Sequence, residues 1–532
     1  MSDRPPRRFN TTGPCVPEEH YMLPVLPRLP AAEDMIEGKS YFILHAPRQS
    51  GKTTFINFLK DRINNSCNMY ALSCSLATLR SIEDRAEAVT AIVSQINRAM
   101  KLSNVDPIKE KAYKYNSLPG MTEPDTKVSI ILNQLCQDLD KDLVVFFDEA
   151  DLLSGPGLLT FLAQIRDGYN NRHNPGNQFP RSLALVGMRD IRDCIASKHP
   201  ESAGGHLASP FNIVAERMTL ANFTREETGR LYRQHTEATG QVFEDAAVGR
   251  AWHWSEGQPW LVNALARQIV EVKLKNDYSA LVTATLVDEA AESLIERRDT
   301  HIDSLIERLT EPRVIKVMDA VFAGTKSPVP VNSDDRRYCQ DLGLVVKEKN
   351  LTLRPANKIY KEVMSRVITD QIQFQLSDNI SDFKWNNGRI ILMTELLTDF
   401  QKFWRHDSRS FPFLKADFAL HKFDEATYSF ILLAYLQKTV NGGAVVDRQY
   451  AEGRGAVDIS ARYKGREYLI EVKLEYSYNP NSLSQLAGYL DNAGEEEGWL
   501  VIFDRNKAKP WDEKIFFKIE RFQGKTIFIF GC

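Results

Sequence analysis

The chain is poor in cysteine, with seven among 532 residues, and Cys15, Cys67, Cys74, Cys136, Cys194, Cys339 and Cys532 are scattered and odd in number. None forms a C-x-x-C pair, which excludes a disulfide framework and a cysteine-built zinc site. Such usage fits a reducing compartment. No stretch of 18 apolar residues occurs, and the N-terminus "MSDRPPRRFNTTGPC" has no apolar run of signal-peptide length. A cytoplasmic protein without a membrane segment is therefore expected. Excess charge of one sign is also missing. Lys and Arg number 67 against 70 Asp and Glu, a net charge of -3, so the whole molecule is no polybasic nucleic-acid binder, although one face still can be basic. No internal repeat or low-complexity tract is visible.

What is present is ordinary globular material, 43% hydrophobic and 26% charged, in a chain too long for one core. Residues 1–30 are Pro- and Arg-rich and read as an arm. Within it His20 and Tyr21 suit packing better than contact with a base. Residues 31–215 alternate short apolar strands (Tyr41–His45, Met69–Ser73, Leu143–Phe147, Ser182–Val186) with helical stretches, which predicts a parallel, doubly wound α/β sheet. Residues 216–300 are helical by period, with Thr224 and Glu227 spaced as a capping box. Residues 301–375 combine helices with two short strands around the charged turn Lys347–Asn350, the pattern of a winged helix. Residues 376–532 form a final α/β unit.

Two constellations carry chemistry. The first is "YFILHAPRQSGKTT", residues 41–54. An apolar strand leads into a loop and then a helix, so that backbone N–H groups at a helix N-terminus can wrap phosphate oxygens. Residues Ala46, Pro47, Arg48, Gln49, Ser50, Gly51, Lys52, Thr53 and Thr54 make the loop. Lys52 would reach the β- and γ-phosphates and Thr53 would ligate Mg²⁺. Ala46 stands where the pattern usually begins with glycine, and it serves if its φ is negative. The partner signal is "LVVFFDEAD", an apolar strand ending in Asp148, which would hold Mg²⁺, and Glu149, which would polarise the attacking water. Over residues 10–300 these motifs resemble the AAA+-like ATPases of the archaeal-ATPase and STAND-like branch. The resemblance implies ATP as the ligand and oligomerisation. It makes "LALVGMRD" a sensor strand with Arg189 at its end, either sensing phosphate or pairing with Asp190. It makes Gly257 and Pro259 of "SEGQPWLVN" a lid element. A polar Asn or Thr on the sensor strand is absent.

The second constellation is "GRGAVDISARYKGREYLIEVKLEY", residues 453–476. Alternation on both sides of Lys464-Gly465 predicts a hairpin with a two-residue loop. Val457, Ile459, Ala461 and Tyr463 then share a face with Tyr468, Ile470, Val472 and Leu474. The other face carries Asp458, Ser460, Arg462, Glu467, Leu469, Glu471 and Lys473. In that register Tyr463 faces Arg466 and Asp458 faces Glu471, with Cβ atoms roughly 5 Å apart. Two carboxylates so placed either grip a divalent cation such as Mg²⁺ or Mn²⁺ or belong to a solvated face with a surface salt bridge. Lys473 would orient the attacking water. Asp458 followed by Glu471-x-Lys473 resembles the PD-(D/E)xK nuclease core, though no proline precedes Asp458. Gln485 and Tyr489 match the Q-x-x-x-Y helix of its RecB-like branch. Glu425 matches the acidic residue of that family's first core helix, a further metal ligand. The expectation is an ATPase core joined through a winged helix to a nuclease-like domain. It would be an ATP-regulated, Mg²⁺- or Mn²⁺-dependent DNA nuclease, and analogy of domain architecture implies a setting in defence against foreign DNA. The rival is an ATP-driven switch or DNA-binding ATPase whose last domain is a non-cleaving adaptor. The basic residues Arg313, Lys316, Arg336, Arg337, Lys347, Lys349, Arg354, Lys358 and Lys361 serve DNA in one version of the winged helix; a protein partner docks there in the other.

Overall fold

The computed structural model describes residues 7–532 apart from 67, 81, 190–212, 298–299, 323–333, 349–351, 377–383, 408–423, 441–442, 449–457, 475–479 and 507. The chain divides into two compact units. The first holds residues 1–297 with 336–346 and 356–359, and the second holds the remainder.

The first unit is built on five parallel strands: β1 (Tyr41–His45), β2 (Tyr70–Ser75), β3 (Leu143–Asp148), β4 (Ser182–Gly187) and β5 (Val214–Thr219). Their order is β2-β3-β4-β1-β5. Helices cover both faces, so the central strands are apolar without interruption. Tyr41, Ile43, Leu72, Val145, Phe147 and Leu185 pack on one side with helices Arg85–Lys101, Lys127–Asp138 and Gly155–Asn171. Phe42, Leu44, Val144, Phe146 and Val186 pack on the other with helices Ala31–Glu37 and Lys52–Ser66. Strand β5 was not anticipated. It lies at the sheet edge, and Ala215, Glu216 and Thr219 are exposed there.

Beyond the sheet, helix Arg225–Thr239 starts with the expected capping box. The Glu227 N–H donates to Thr224 Oγ1 (3.1 Å) and the Thr224 N–H to Glu227 Oε2 (2.9 Å). Trp252, Trp254 and Trp260 are tied down through their indole N–H groups to Phe223 O, Asp288 Oδ1 and Thr11 O. The arm packs rather than dangles. Phe9 and Tyr21 sit against His235, and Tyr21 Oη lies 3.1 Å from His235 Nδ1.

The second unit contains helices Asp424–Val440 and Met393–Asp407 and a six-stranded mixed sheet. Its strands are β8 (Val445–Arg448), β9 (Ile459–Tyr463), β10 (Arg466–Leu474), β11 (Glu497–Phe503), β12 (Phe516–Phe522) and β13 (Lys525–Gly531), ordered β12-β13-β11-β10-β9-β8. Strands β9 and β10 pair antiparallel in the expected register, Tyr463 with Arg466 and Ile459 with Ile470. Lys464 and Gly465 take φ of 48° and 83°, as a two-residue turn of this kind requires. Helix Pro480–Ala493 lies over one sheet face, where Leu483, Leu486 and Leu490 bury Leu469 and Leu500. Trp404 is core, stacked on Phe400, and Trp385 packs edge-on to Tyr463. Between the sheets' sequences, β6 (Val345–Lys347) pairs with β7 (Leu353–Pro355).

Candidate nucleotide and metal sites

The phosphate loop leaves β1 and enters helix Lys52–Ser66. Ala46 is fully buried and does not take a positive φ. The left-handed positions are Gln49 (58°) and Gly51 (94°). Alanine thus costs nothing in backbone strain where glycine is usual. Lys52 Nζ donates to Ala46 O (2.7 Å) and Pro47 O (2.8 Å). Burial pushes its ammonium down to about 8, against the opposing pull of Asp151, Asp148 and Glu149. Thr53 Oγ1 donates to Asp148 Oδ2 (2.8 Å), which joins the two residues expected to share Mg²⁺. The Asp148 carboxyl is raised by burial, with the Thr53 hydroxyl opposing. Its other oxygen accepts the Glu149 N–H (2.9 Å). Glu149 stands in the left-handed region at φ 58°, a strained turn of the sort found where a side chain must be aimed. Its carboxylate accepts from Ser75 Oγ (3.0 Å). Thr54 Oγ1 accepts the Cys15 N–H (3.0 Å), so the arm touches the loop's helix. Arg48 O faces Gln258 Nε2 at 3.5 Å, and Pro259 opens the buried helix Pro259–Arg267.

Arg189 lies 5.6 Å from the centre of the Tyr338 ring, and its charge acts on Asp151. Asp190 falls outside the described residues. Two residues of this site were not anticipated. Asp151 is the last letter of "DEAD", a signal that could have been read. Arg28 approaches Gly51, lies over the Phe223 ring (4.6 Å) and donates to Ala221 O; no pattern marks it.

Residues 35–195 match the family model of the AAA domain. This match and the parallel sheet support a P-loop, AAA+-like ATPase. No curated protein matches the chain. Among solved structures it is similar to a Walker-type ATPase of Pyrococcus abyssi (18% identity, 68% of this chain and 99% of that one, TM-score 0.44). It is also similar to the Aeropyrum pernix ORC2 protein (13%, 65% and 94%, 0.41). A third is the Thermotoga maritima RuvB Holliday junction branch migration motor (15%, 63% and 92%, 0.33).

In the second unit Asp458 stands just before β9, and its Oδ2 accepts the Val472 N–H (2.8 Å). Glu471 is 1% exposed, so this face is no solvated surface; the Leu-rich side of helix Pro480–Ala493 covers the same face at Leu469. Glu471 Oε1 bonds Lys473 Nζ (2.6 Å), while its Oε2 is buried with no hydrogen-bond partner among the described residues. The Glu471 carboxyl is raised by burial first and by Asp458 second. The Lys473 ammonium is raised too, because Glu471 and Asp458 outweigh burial, which acts the other way. Gln485 Nε2 donates to Tyr489 Oη (2.5 Å). Burial raises that hydroxyl, and the charges of Glu471, Lys473 and Asp458 reach it, so the helix presents the pair to the acidic cluster. Glu425 begins helix Asp424–Val440, but its side chain lies outside the described residues. Among the described residues no three His, Cys, Asp or Glu groups are gathered for a metal.

Several basic residues of the expected winged helix are engaged. Arg313 and Lys316 both bind Asp335 (3.0 and 3.2 Å) and Arg354 binds Glu348 (3.4 Å). Arg336 is buried, and Lys358 lies over the Trp254 ring. Lys349 is outside the described residues. Among the described residues no helix is long and apolar enough to cross a membrane.

Proposed function

We propose that the chain is an ATP-regulated, metal-dependent DNA nuclease that works as an oligomer in the cytoplasm, with defence against foreign DNA as its setting. One observation supports the cutting reading above others: among the described residues Glu471 keeps a buried carboxylate oxygen without a partner, beside Lys473 and Asp458. A lone buried carboxylate oxygen is costly, and a hard cation satisfies it. Asp458 and Glu471 would hold Mg²⁺ or Mn²⁺, with Glu425 as a third ligand from its helix. Such an ion polarises a phosphodiester and acidifies a bound water. Lys473 then orients that water and balances charge building on the phosphate, and the Gln485–Tyr489 pair steadies the substrate strand.

In the first unit, Lys52 and the loop N–H groups would bind the ATP phosphates, Thr53 and Asp148 would hold Mg²⁺, and Glu149 would take a proton from water. Purified protein with Mn²⁺ should cut plasmid or single-stranded DNA, and Lys473→Ala should abolish the cutting. Cutting that survives this change would remove the assignment. The engaged basic residues of 301–375 favour a second reading, an ATP-driven switch whose last domain is a non-cleaving adaptor and whose middle segment meets protein. Calorimetry with Mn²⁺ separates the two, since the adaptor needs no ion at Asp458 and Glu471.

A further inference from the structure

Asp151 follows β3 in the short turn Ala150–Leu152 and is 5% exposed. Its carboxylate accepts the Met188 N–H and feels the charges of Arg189 and Lys52. A Cβ built on Gly187, the last residue of β4, would lie 2.5 Å from Asp151 Oδ1 and 2.8 Å from Cγ. The carboxylate therefore fills the space that a side chain at the end of β4 would occupy. Three carboxylates face Lys52, namely Asp151, Asp148 and Glu149. Asp148 also accepts from Thr53 and Glu149 from Ser75. Asp151 also feels the charge of Arg189. Lys52 comes from the phosphate loop and Arg189 from just beyond β4, so the charge of Asp151 acts on cations from two separate segments of the site.

We propose that Asp151 is a positioning residue for ATP hydrolysis, holding Arg189 toward the phosphates from the seat that Gly187 leaves open. This rests on the reading of the first unit as an ATPase. An entering triphosphate draws Lys52 to itself, while the Met188 N–H and the charge of Arg189 still act on Asp151. Arg189 is then anchored on one side by a buried carboxylate and backed by the Tyr338 ring. The same negative charge repels the phosphates. Its removal should therefore tighten ATP binding while slowing hydrolysis, a split that a purely structural role does not produce.

The test measures ATP affinity, kcat and Tm separately for the full chain and for Asp151→Asn, Arg189→Ala, their double variant, Gly187→Ala and Lys52→Ala. Asp151→Asn should bind ATP as tightly as the parent or more tightly, with kcat about tenfold lower or less. Arg189→Ala should lose a similar factor, and the double variant no more than the worse single, because residues acting through one another are not additive. Gly187→Ala displaces the carboxylate without altering its charge and should reproduce the kcat loss. It decides the matter if Asp151→Asn does not fold. The proposal falls if Asp151→Asn or Gly187→Ala retains full kcat, if the two single losses multiply, or if affinity, kcat and Tm all drop together. A parent protein that binds but never hydrolyses ATP, or a Lys52→Ala variant that binds ATP undiminished, removes the ATPase reading itself and the proposal with it.

Discussion

Lys52 is a buried cation in the phosphate loop. Burial holds its pKa down to about 8, below the ordinary lysine value. A phosphate beside the ammonium stabilises the charged form and raises that pKa. Below pH 8 the lysine is already protonated and binding needs no proton. Above pH 8 ATP must bring one in, so affinity weakens as pH rises through that value. Calorimetry at pH 8.5 in buffers of different ionisation enthalpy should show proton uptake on ATP binding, and at pH 6.5 none from this group. Ala46 makes the opposite point, that a departure from pattern carries no penalty here. Its methyl is buried and its backbone ordinary. Ala46→Gly should therefore cost about 1 kcal/mol of stability through a lost core methyl and a freer unfolded chain. Nucleotide affinity should not improve; a tighter Kd in the glycine variant would show that the methyl crowds the loop. The residue motifs were readable because spacing alone carries them. Asp151 and Arg28 were harder. The motif marks Asp151, but its contact with the end of β4 at Gly187 is a matter of the fold, and Arg28 reaches Gly51 across a fold that no local pattern encodes.

At the scale of elements, legibility followed burial. Strand β1 has the expected ends, and β3 and β4 differ from theirs by one residue, because strands covered on both faces are continuous apolar runs. Strand β5 escaped because "VAERMT" at an edge has neither a run nor a clean alternation. The hairpin of β9 and β10 was readable down to its register, since a Lys-Gly turn fixes which residues oppose. The burial of Glu471 was not readable, because it depends on a helix packed over the strand from later in the chain. The turn at Gly257 offers a sharp test of element packing. Gly257 has φ 70°, and a Cβ there would sit 1.8 Å from Phe223 O, whose own N–H donates to Gly257 O (2.7 Å). Gly257→Ala forces backbone to move and should cost about 3 kcal/mol, read as a lower midpoint in chemical denaturation of the first unit. An unchanged midpoint would mean that this crossing of two backbones can relax freely.

At the scale of the molecule the question is why one chain carries a nucleotide loop and a carboxylate–lysine cluster in separate compact units. If the units worked independently, each knockout would silence only its own activity. If ATP governs cutting, the effects are asymmetric. Lys473→Ala lies in the second unit and removes no group from the phosphate loop, so ATP hydrolysis should persist within about twofold of the parent, as for a change distant from the site. Lys52→Ala removes the phosphate-binding ammonium and should abolish hydrolysis. It should also change DNA cutting by about tenfold or more, since a population shift of that size needs only about 1.4 kcal/mol of differential ATP binding between two states. The direction reports the logic: lost cutting means that ATP licenses the nuclease, and gained cutting means that ATP restrains it. Equal cutting by Lys52→Ala and the parent, across ATP concentrations and at fixed Mn²⁺, would separate the two chemistries and leave a nuclease with an unconnected ATPase.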